Sequence, residues 1–405
     1  MMGFSDTPAA ERVHIGFFGR RNAGKSSLVN AITGQELSVV SDVKGTTTDP
    51  VYKAMELLPI GPVMILDTPG FDDEGTLGAL RVQKTKQVLG KTDIAVLVVD
   101  VIEGFGAPEE ELLSLIQARG IPYLIVYNKS ELSDTGRSVA ENEIFVSAKQ
   151  RTHIQELKER IGAMMKTGEK RRFLVRDLLK PNDFVLLVTP IDASAPKGRL
   201  ILPQQQVIRD IIDGDSTANV VREAQLKTTL ARLAEPPAMV ITDSQVFSFV
   251  DRETPKDIPL TSFSILMARY KGFLQMSVRG VSAMKTLKNG DIVLIAEGCT
   301  HHRQCEDIGT VKIPRWLRET TGKKIKIETA SGREFPEDLS KYALVIHCGG
   351  CMLNAREMQT RMQRVVAQGI PVTNYGVLIA YMKGILKRSL SVFEDITELS
   401  EIETG

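Results

Sequence analysis

The sequence has few cysteines and histidines, no surplus of charge and no long apolar run. Its 405 residues carry 51 Lys and Arg against 50 Asp and Glu, a formal net charge of +1. That balance argues against a surface devoted to nucleic acid, and no acidic tract points to disorder. No apolar stretch approaches the roughly 18 residues a membrane helix needs. No signal peptide opens the chain, so a cytoplasmic protein without a membrane partner is expected. The 4 cysteines are too few and too clustered for a disulfide framework. What remains is an ordinary globular composition, 42% apolar and 25% charged. The length predicts two to four domains, each large enough for its own core.

All the cysteines lie between positions 299 and 351, with most of the histidines. One run is Cys299-Thr300-His301-His302, followed by Cys305, and the other is His347-Cys348-Gly349-Gly350-Cys351. A lone Cys is usually a small core hydrophobe. The pairing of Cys348 with Cys351, with His347 beside them and Cys-x-His upstream, instead favours zinc or an iron–sulfur cluster. Residues 292–296 and 342–346 read as strands, so each run follows a strand's carboxyl end. In an open parallel sheet ligands bind at that edge. The two runs can meet there if their strands are neighbours.

The first third carries different chemistry. Residues 13–18 read as a buried strand, then comes Gly19-Arg20-Arg21-Asn22-Ala23-Gly24-Lys25-Ser26, and residues 27–32 read as a helix. Strand, glycine-rich turn and helix are the context a P-loop requires. The backbone of Gly19, Asn22, Ala23, Gly24, Lys25, Ser26 and Ser27 is expected to line the phosphates at the helix N-terminus. Lys25 should reach the β- and γ-phosphates, and Ser26 should ligate Mg²⁺. Thr47, in the polar loop Gly45-Thr46-Thr47-Thr48-Asp49, is the candidate for the threonine that touches Mg²⁺ and the γ-phosphate. The strand at 63–66 leads to Asp67-Thr68-Pro69-Gly70. Asp67 suits a carboxylate that holds Mg²⁺ through water, and the Gly70 N–H can meet the γ-phosphate. Lys25, Thr47, Asp67 and Gly70 are therefore the expected catalytic set.

Strands at 94–99 and 123–127 are continuously apolar, as in a parallel sheet covered on both faces. The second ends in Asn128-Lys129-Ser130-Glu131, whose carboxylate can accept two hydrogen bonds from guanine. A strand at 144–146 leads to the base-contacting Ser147-Ala148-Lys149. Phe71 stands where many such domains carry a water-orienting glutamine, with Asp72, Asp73 and Glu74 after it, so intrinsic hydrolysis of GTP is expected to be slow. His14 reads as a packed or edge histidine.

A helix at 153–165 closes this domain, and the basic run 166–172 reads as a linker. Beyond it come a strand at 184–188, helices at 203–212 and 219–233, and a strand at 239–242. This is a small α/β unit without a catalytic constellation. Helical patterning from 260 to 270 breaks at Gly272 and resumes to 287. Asn289 and Gly290 make a turn, and helices are expected at 314–319, with Trp316 in the core, at 354–368 and at 376–387. A strand at 370–373 falls between the last two. The expected fold class is α/β: a P-loop GTPase domain (1–168), a small α/β dimerisation module (175–262) and a C-terminal α/β cluster domain with parallel strands (263–405).

The first region resembles the translation-factor-like GTPases, most closely the Era and tRNA-modification branch. It departs from them in having Glu131 where the base-reading motif usually ends in Asp. In related potassium-activated GTPases an asparagine placed as Asn22 ligates K⁺, and the resemblance implies that role here. The GTPase region, the small module and Cys-x-His … His-Cys-x-x-Cys in this order resemble the FeFe-hydrogenase maturation GTPases, the HydF family, over essentially the whole chain. The resemblance implies a homodimeric scaffold that carries a 4Fe–4S cluster and a transient two-iron precursor of the hydrogenase active site. It implies apo-hydrogenase as recipient and two radical-SAM maturases as upstream partners. Family cluster ligands map onto Cys299, Cys348 and Cys351. For the fourth iron the sequence offers Glu306 or His301, with Cys305 as the alternative that would close the site. His302 and His347 would hydrogen-bond cluster or cargo. The alternative is a tRNA- or ribosome-associated GTPase with a structural zinc site. Weak basicity and the lack of a recognisable RNA-binding module count against it, and the absence of Cys-x-x-x-Cys-x-x-Cys counts against a radical-SAM enzyme.

Overall fold

The computed structural model describes residues 7–34, 51–68, 70, 76–133, 140–167, 172–190, 200–298, 307–332, 335–394 and 396. The chain divides between Arg171 and Arg172 into two units.

The first unit contains β1 (Val13–Phe18), α1 (Lys25–Thr33), β2 (Val51–Leu57), β3 (Gly61–Asp67), α2 (Thr76–Leu89), β4 (Ile94–Asp100), α3 (Ala107–Ala118), β5 (Tyr123–Asn128), β6 (Glu143–Phe145) and α4 (Ile154–Thr167). Its sheet runs β2-β3-β1-β4-β5-β6, parallel except for β2, which pairs antiparallel with β3. The apolar runs anticipated from sequence are the central strands, and every residue of β4 is buried. One core face packs Leu28, Ile32, Leu157 and Ile161 against Ile15, Val96 and Val126. The other packs Leu89, Leu112 and Ile116 against Leu66, Leu97 and Ile125. His14 is indeed buried, its backbone N–H and ring both facing Asp93 Oδ2, at 2.9 and 3.7 Å.

The second unit contains β7 (Phe184–Val188), α5 (Leu202–Asp213), β8 (Thr217–Val221), α6 (Leu226–Leu230), β9 (Met239–Thr242), α7 (Phe247–Glu253), β10 (Leu260–Ser262), α8 (Phe263–Tyr270) and α9 (Leu274–Val281). These are followed by β11 (Ile292–Glu297), α10 (Ile313–Thr321), β12 (Lys326–Ser331), β13 (Tyr342–His347), α11 (Ala355–Ala367), β14 (Val372–Asn374), α12 (Tyr375–Met382) and α13 (Leu386–Leu390). Two fully parallel sheets result, β10-β9-β7-β8 and β12-β11-β13-β14.

Three expectations are corrected. The helix expected over 219–233 is strand β8 followed by the short α6, because Val220 and Val221 are β-branched and pair with β7. The helix expected from 260 begins only after β10, whose three residues continue the sheet beside β9. The last helix is divided in two at Gly384, whose φ of +69° stops α12.

One continuous hydrophobic core serves both sheets of this unit, from Leu174 to Ile396. Helices α8 and α9 join them. A Cβ on Gly280 would lie 2.0 Å from the carbonyl oxygen of Val372, so only glycine lets α9 close on β14. Arg388 on α13 fastens the two halves. It donates to Asp251 Oδ1 (2.7 Å) and to the carbonyls of Asp251 (3.1 Å), Thr254 (3.3 Å), Pro255 and Ile258 (3.0 Å). Among the described residues no helix is long and apolar enough to cross a membrane.

Candidate functional site

At the carboxyl ends of β1, β3, β4 and β5 the first unit gathers the residues singled out from sequence. The turn after β1 is built for a backbone that approaches closely. Gly19 has φ +152°, and a Cβ there would meet the Val98 carbonyl oxygen at 2.2 Å. Gly24 has φ +86°, and its Cβ would meet Asn128 Nδ2 at 2.2 Å. Asn22 also takes a positive φ, +62°. Lys25 folds back over the turn and donates from Nζ to the carbonyls of Gly19 (2.9 Å) and Arg20 (2.6 Å). Its ammonium thus rests on the turn that a phosphate would approach.

Ser26 Oγ donates to Asp67 Oδ2 at 2.9 Å, bringing together from α1 and β3 the hydroxyl and carboxylate expected to hold Mg²⁺. Thr68 Oγ1 donates to the Phe17 carbonyl at 2.7 Å and fixes the start of the segment leading to Gly70. Ser27 and Gly70 are half-buried, and Ala23 is buried. Thr47, Pro69 and the residues from Phe71 to Glu74 lie outside the described residues.

The base-reading loops are tied to the same turn. Asn128 donates from Nδ2 to the Ala23 carbonyl (3.0 Å) and accepts at Oδ1 from the Ala148 N–H (3.1 Å). Lys129, in a left-handed conformation, pairs with Asp100 at 2.5 Å. Ser147 and Thr152 exchange two backbone hydrogen bonds (3.2 and 3.1 Å) that hold Ala148 and Lys149 in a tight loop. Glu131 is held below the ordinary carboxylate pKa, chiefly by the Ser147 hydroxyl; burial opposes this, while its own N–H, Lys149 and Lys129 assist. Its Oε2 is covered and has no hydrogen-bond partner among the described residues.

Sequence reasoning passed over one link here. Arg20, inside the turn, pairs with the buried Glu109, which also accepts from the Gly106 N–H at 3.1 Å at the start of α3. The Gly-x-x-Glu spacing of a capping box was the legible signal.

The second unit holds the thiols. β11 and β13 are neighbours, with Ala296 opposite His347, so the two cysteine runs leave adjacent parallel strands. The Gly298 N–H lies 3.1 Å from Cys348 Sγ, and the Gly350 N–H lies 3.4 Å from the same sulfur. Gly350 turns the chain at φ +66° between Cys348 and Cys351. The floor of the turn is α8, because a Cβ on Gly349 would sit 3.2 Å from Met267 Cβ. Two half-buried thiols on one turn, with N–H donors aimed at sulfur, fit the thiolate ligands of a soft metal or iron–sulfur cluster. Burial pushes the Cys351 thiol up, against the opposing charge of Lys271. Cys299, His301, His302, Cys305 and Glu306 lie outside the described residues. Among the described residues no group of three His, Cys, Asp or Glu is gathered to hold a metal ion.

His347 does not share the sulfurs' surroundings. Its Nδ1 lies 2.9 Å from the Cys348 carbonyl oxygen, and its Nε2 lies 3.4 Å from Arg361, itself bound to Glu357 and the Gly332 carbonyl. Full burial and then the Arg361 charge lower its pKa to about 3, so the ring is neutral. Nearer the thiols stand groups the sequence did not flag. Tyr375 Oη donates to Glu297 Oε1 at 3.1 Å, and both are buried. Asp307 accepts at Oδ2 from Thr310 N–H (2.8 Å) and Oγ1 (2.9 Å), opening the wide helical turn Ile308–Lys312.

Comparison with known proteins follows this architecture. Residues 14–129 match the 50S ribosome-binding GTPase model. The chain is 34% identical over 169 residues to GTPase Der of Wolinella succinogenes, covering 38% of this chain and 36% of that protein. It is 34% identical over 134 residues to the tRNA modification GTPase MnmE of Chromobacterium violaceum, covering 33% and 29%. The chain thus spans about a third of the length of these curated relatives. The first unit is a P-loop GTPase domain of α/β fold. Residues 174–272 match the hydrogen maturase F dimerization domain and residues 275–392 the hydrogen maturase F tetramerization domain. Together these two models match more than half the chain, and the chain belongs to the hydrogen maturase F family.

Proposed function

We propose that this chain is a GTP-hydrolysing scaffold that carries a 4Fe–4S cluster and a two-iron precursor of the hydrogenase H-cluster, and delivers the precursor to apo-FeFe-hydrogenase. The observation that carries this reading is the Gly298 N–H lying 3.1 Å from Cys348 Sγ, on the turn that holds Cys348 and Cys351, with Cys299 the next residue in sequence after Gly298. Three thiolates leave one iron of a cubane for an exchangeable ligand, and Glu306 and His301 follow Cys299 closely in sequence.

In the GTPase domain, GTP lies on the turn from Gly19 to Ser27, with Lys25 on its β- and γ-phosphates and Mg²⁺ held by Ser26, Thr47 and, through water, Asp67. The Gly70 N–H meets the γ-phosphate, and Asn22 ligates K⁺. Asn128, Lys129, Glu131 and the Ser147–Lys149 loop read the base. A carboxylate at Glu131 that accepts from both the N1–H and the 2-amino group of guanine favours guanine over adenine. The chain assembles as a homodimer through its middle module. Strand β8 supports this, since it lies at the sheet edge with Val220 exposed. Two radical-SAM maturases supply the cargo.

The test is anaerobic purification and reconstitution followed by iron, sulfide and zinc analysis. Roughly four irons per chain in brown protein are expected. Colourless protein with a single zinc would favour a tRNA- or ribosome-associated GTPase with a structural metal, the reading that the MnmE and ribosome-binding similarities support.

A further inference from the structure

Glu109 is 1% exposed, and a glutamate is almost never enclosed to this degree unless it is paired. Its partners lie at the edge of the nucleotide site. It stands in the first turn of α3 and accepts at Oε2 from the Gly106 N–H (3.1 Å), at the positive end of that helix. The same oxygen accepts from Arg20 Nη2, and Arg20 Nη1 lies 3.9 Å from the exposed Glu103. Arg20 is also part of the turn itself. Its carbonyl accepts from Lys25 Nζ at 2.6 Å and from the Ala23 N–H at 3.5 Å. One residue thus ties the inside of the turn, through its carbonyl, to the start of α3, through its guanidinium. The turn needs such a hold. Gly19, Asn22 and Gly24 take φ of +152°, +62° and +86°, and glycine left to itself samples many other conformations.

We infer that Arg20 is a positioning residue for GTP, which through its pairing with Glu109 holds the phosphate-binding turn in its binding form before nucleotide arrives. The inference rests on the placing of GTP on the turn from Gly19 to Ser27 proposed above. A turn that is competent for only a fraction of the time binds more weakly by that fraction, while the complex, once formed, is the same. Loss of the tether therefore raises Kd and KM and leaves kcat alone. An arginine that touched the phosphates would behave in the opposite way at Glu109, because freeing its guanidinium from the carboxylate would strengthen binding. Gly106 offers a way to disturb the pair without removing either charge. A Cβ there would lie 2.7 Å from Arg20 Nη2, the far end of a flexible side chain. The Gly106 backbone, at φ −140°, is extended and suits alanine. Gly106→Ala therefore displaces the guanidinium and spares the backbone.

The experiment compares the full-length wild type with Arg20→Gln, Arg20→Lys, Glu109→Gln, Gly106→Ala, Lys25→Ala and, on the same turn of α3, the exposed Glu110→Gln. Circular dichroism checks folding, steady-state GTP hydrolysis gives KM and kcat, and fluorescence titration with labelled GDP gives Kd. Arg20→Gln is expected to raise KM and Kd about tenfold, as for a turn competent a tenth of the time, with kcat within about twofold of wild type. Gly106→Ala and Glu109→Gln should move the same two constants in the same direction. Arg20→Lys, which keeps a charge for Glu109, should recover part of the loss, and Glu110→Gln should match wild type. Unchanged KM and Kd in folded Arg20→Gln overturn the inference, as does a fall in kcat at unchanged KM. Tighter binding by Glu109→Gln overturns it too, since Arg20 would then act on the phosphates directly. Where Arg20→Gln does not fold, Gly106→Ala decides, and wild-type constants there overturn the inference. Wild-type turnover in Lys25→Ala overturns the placing of GTP on this turn and the inference with it; an inactive Lys25→Ala beside unchanged Arg20→Gln and Gly106→Ala overturns the inference alone.

Discussion

The nucleotide site and the thiol site both stand where parallel strands end, and they differ in what they hold before a ligand arrives. At the nucleotide site most of the described polar groups bond to one another, Glu131 Oε2 being one exception. Lys25 covers the turn's carbonyls, Ser26 bonds Asp67, Asn128 spans Ala23 and Ala148, and Lys129 pairs with Asp100. The described part of the site is thus charged and tied together by its own hydrogen bonds. At the thiol site the paired polar groups, Tyr375 with Glu297 and His347 with Arg361, are buried. The described groups there that would suit a soft ligand are the half-buried Cys348 and Cys351 sulfurs, and burial pushes the Cys351 thiol up. The first site presents polar groups already bonded to one another, while the second shelters its thiols.

The strongest way to break this comparison is to remove one site and ask whether the other notices. Lys25→Ala is expected to lower GTP hydrolysis by roughly a hundredfold or more, since it removes the principal charge on the transferred phosphate. Iron content should stay at the wild-type level. Cys348→Ser or Cys351→Ser should empty the cluster and leave hydrolysis within about twofold. The sites stand in different units. Loss of GTPase activity in a well-folded Cys348→Ser protein would show that the separation is wrong.

The next largest effect concerns stability. Arg388→Ala removes the clamp on Asp251 and three further carbonyls, and is expected to cost about 2–4 kcal/mol. The loss should fall on the transition of residues 172–405, with the GTPase transition unmoved in calorimetry of the nucleotide-bound chain. A shift of both transitions together would mean that the two units unfold as one.

The glycines sharpen the contrast at about tenfold. Gly24→Ala drives a Cβ into Asn128 Nδ2, a group already held at both ends of its amide. Together with the φ of +86° this should weaken nucleotide binding by about tenfold or more. Gly350→Ala meets only the Met358 thioether at 2.6 Å, and methionine can move aside. It should cost about 1–2 kcal/mol of stability for its left-handed backbone and still load its cluster. Equal binding losses at both sites, by isothermal titration with nucleotide and by iron content, would contradict the difference in rigidity.

Where the sequence could be read, the signal was short-range. The P-loop announces itself through Gly19, Gly24 and Lys25, and continuous apolar runs mark β1, β4, β5, β11 and β13. Strands on a sheet edge were harder. β8 and β12 carry mixed polar and apolar residues, several of them exposed, so Asn219–Val221 reads as the start of a helix and Lys326–Ser331 gives no strand signal. His347 sits beside Cys348 in sequence, which suggested a shared site. Successive strand residues face opposite sides, and the ring is instead turned to Arg361.

The smallest expected effect tests how the charge of the base-reading carboxylate is held. The Ser147 hydroxyl is the largest influence keeping Glu131 below its usual pKa of 4.5. In Ser147→Ala that support is lost, and the carboxyl rises toward its ordinary value. Guanine recognition needs the ionised form, because only it accepts both base N–H groups. A group with a depressed pKa keeps its contribution above that pKa and loses it as pH falls through it. Near pH 7 the carboxylate is ionised in both proteins, so GTP affinity should change by less than about threefold. On acidification toward about pH 4, GTP binding by the variant should fail at higher pH than binding by wild type. ATP, which makes no such bonds, should show no matching shift. Fluorescence titration of cluster-free chain with labelled GTP and ATP reads both limbs. Coincident acid limbs in wild type and Ser147→Ala would mean that Ser147 does not govern the Glu131 charge, and a shift shared by ATP would place the effect outside base recognition.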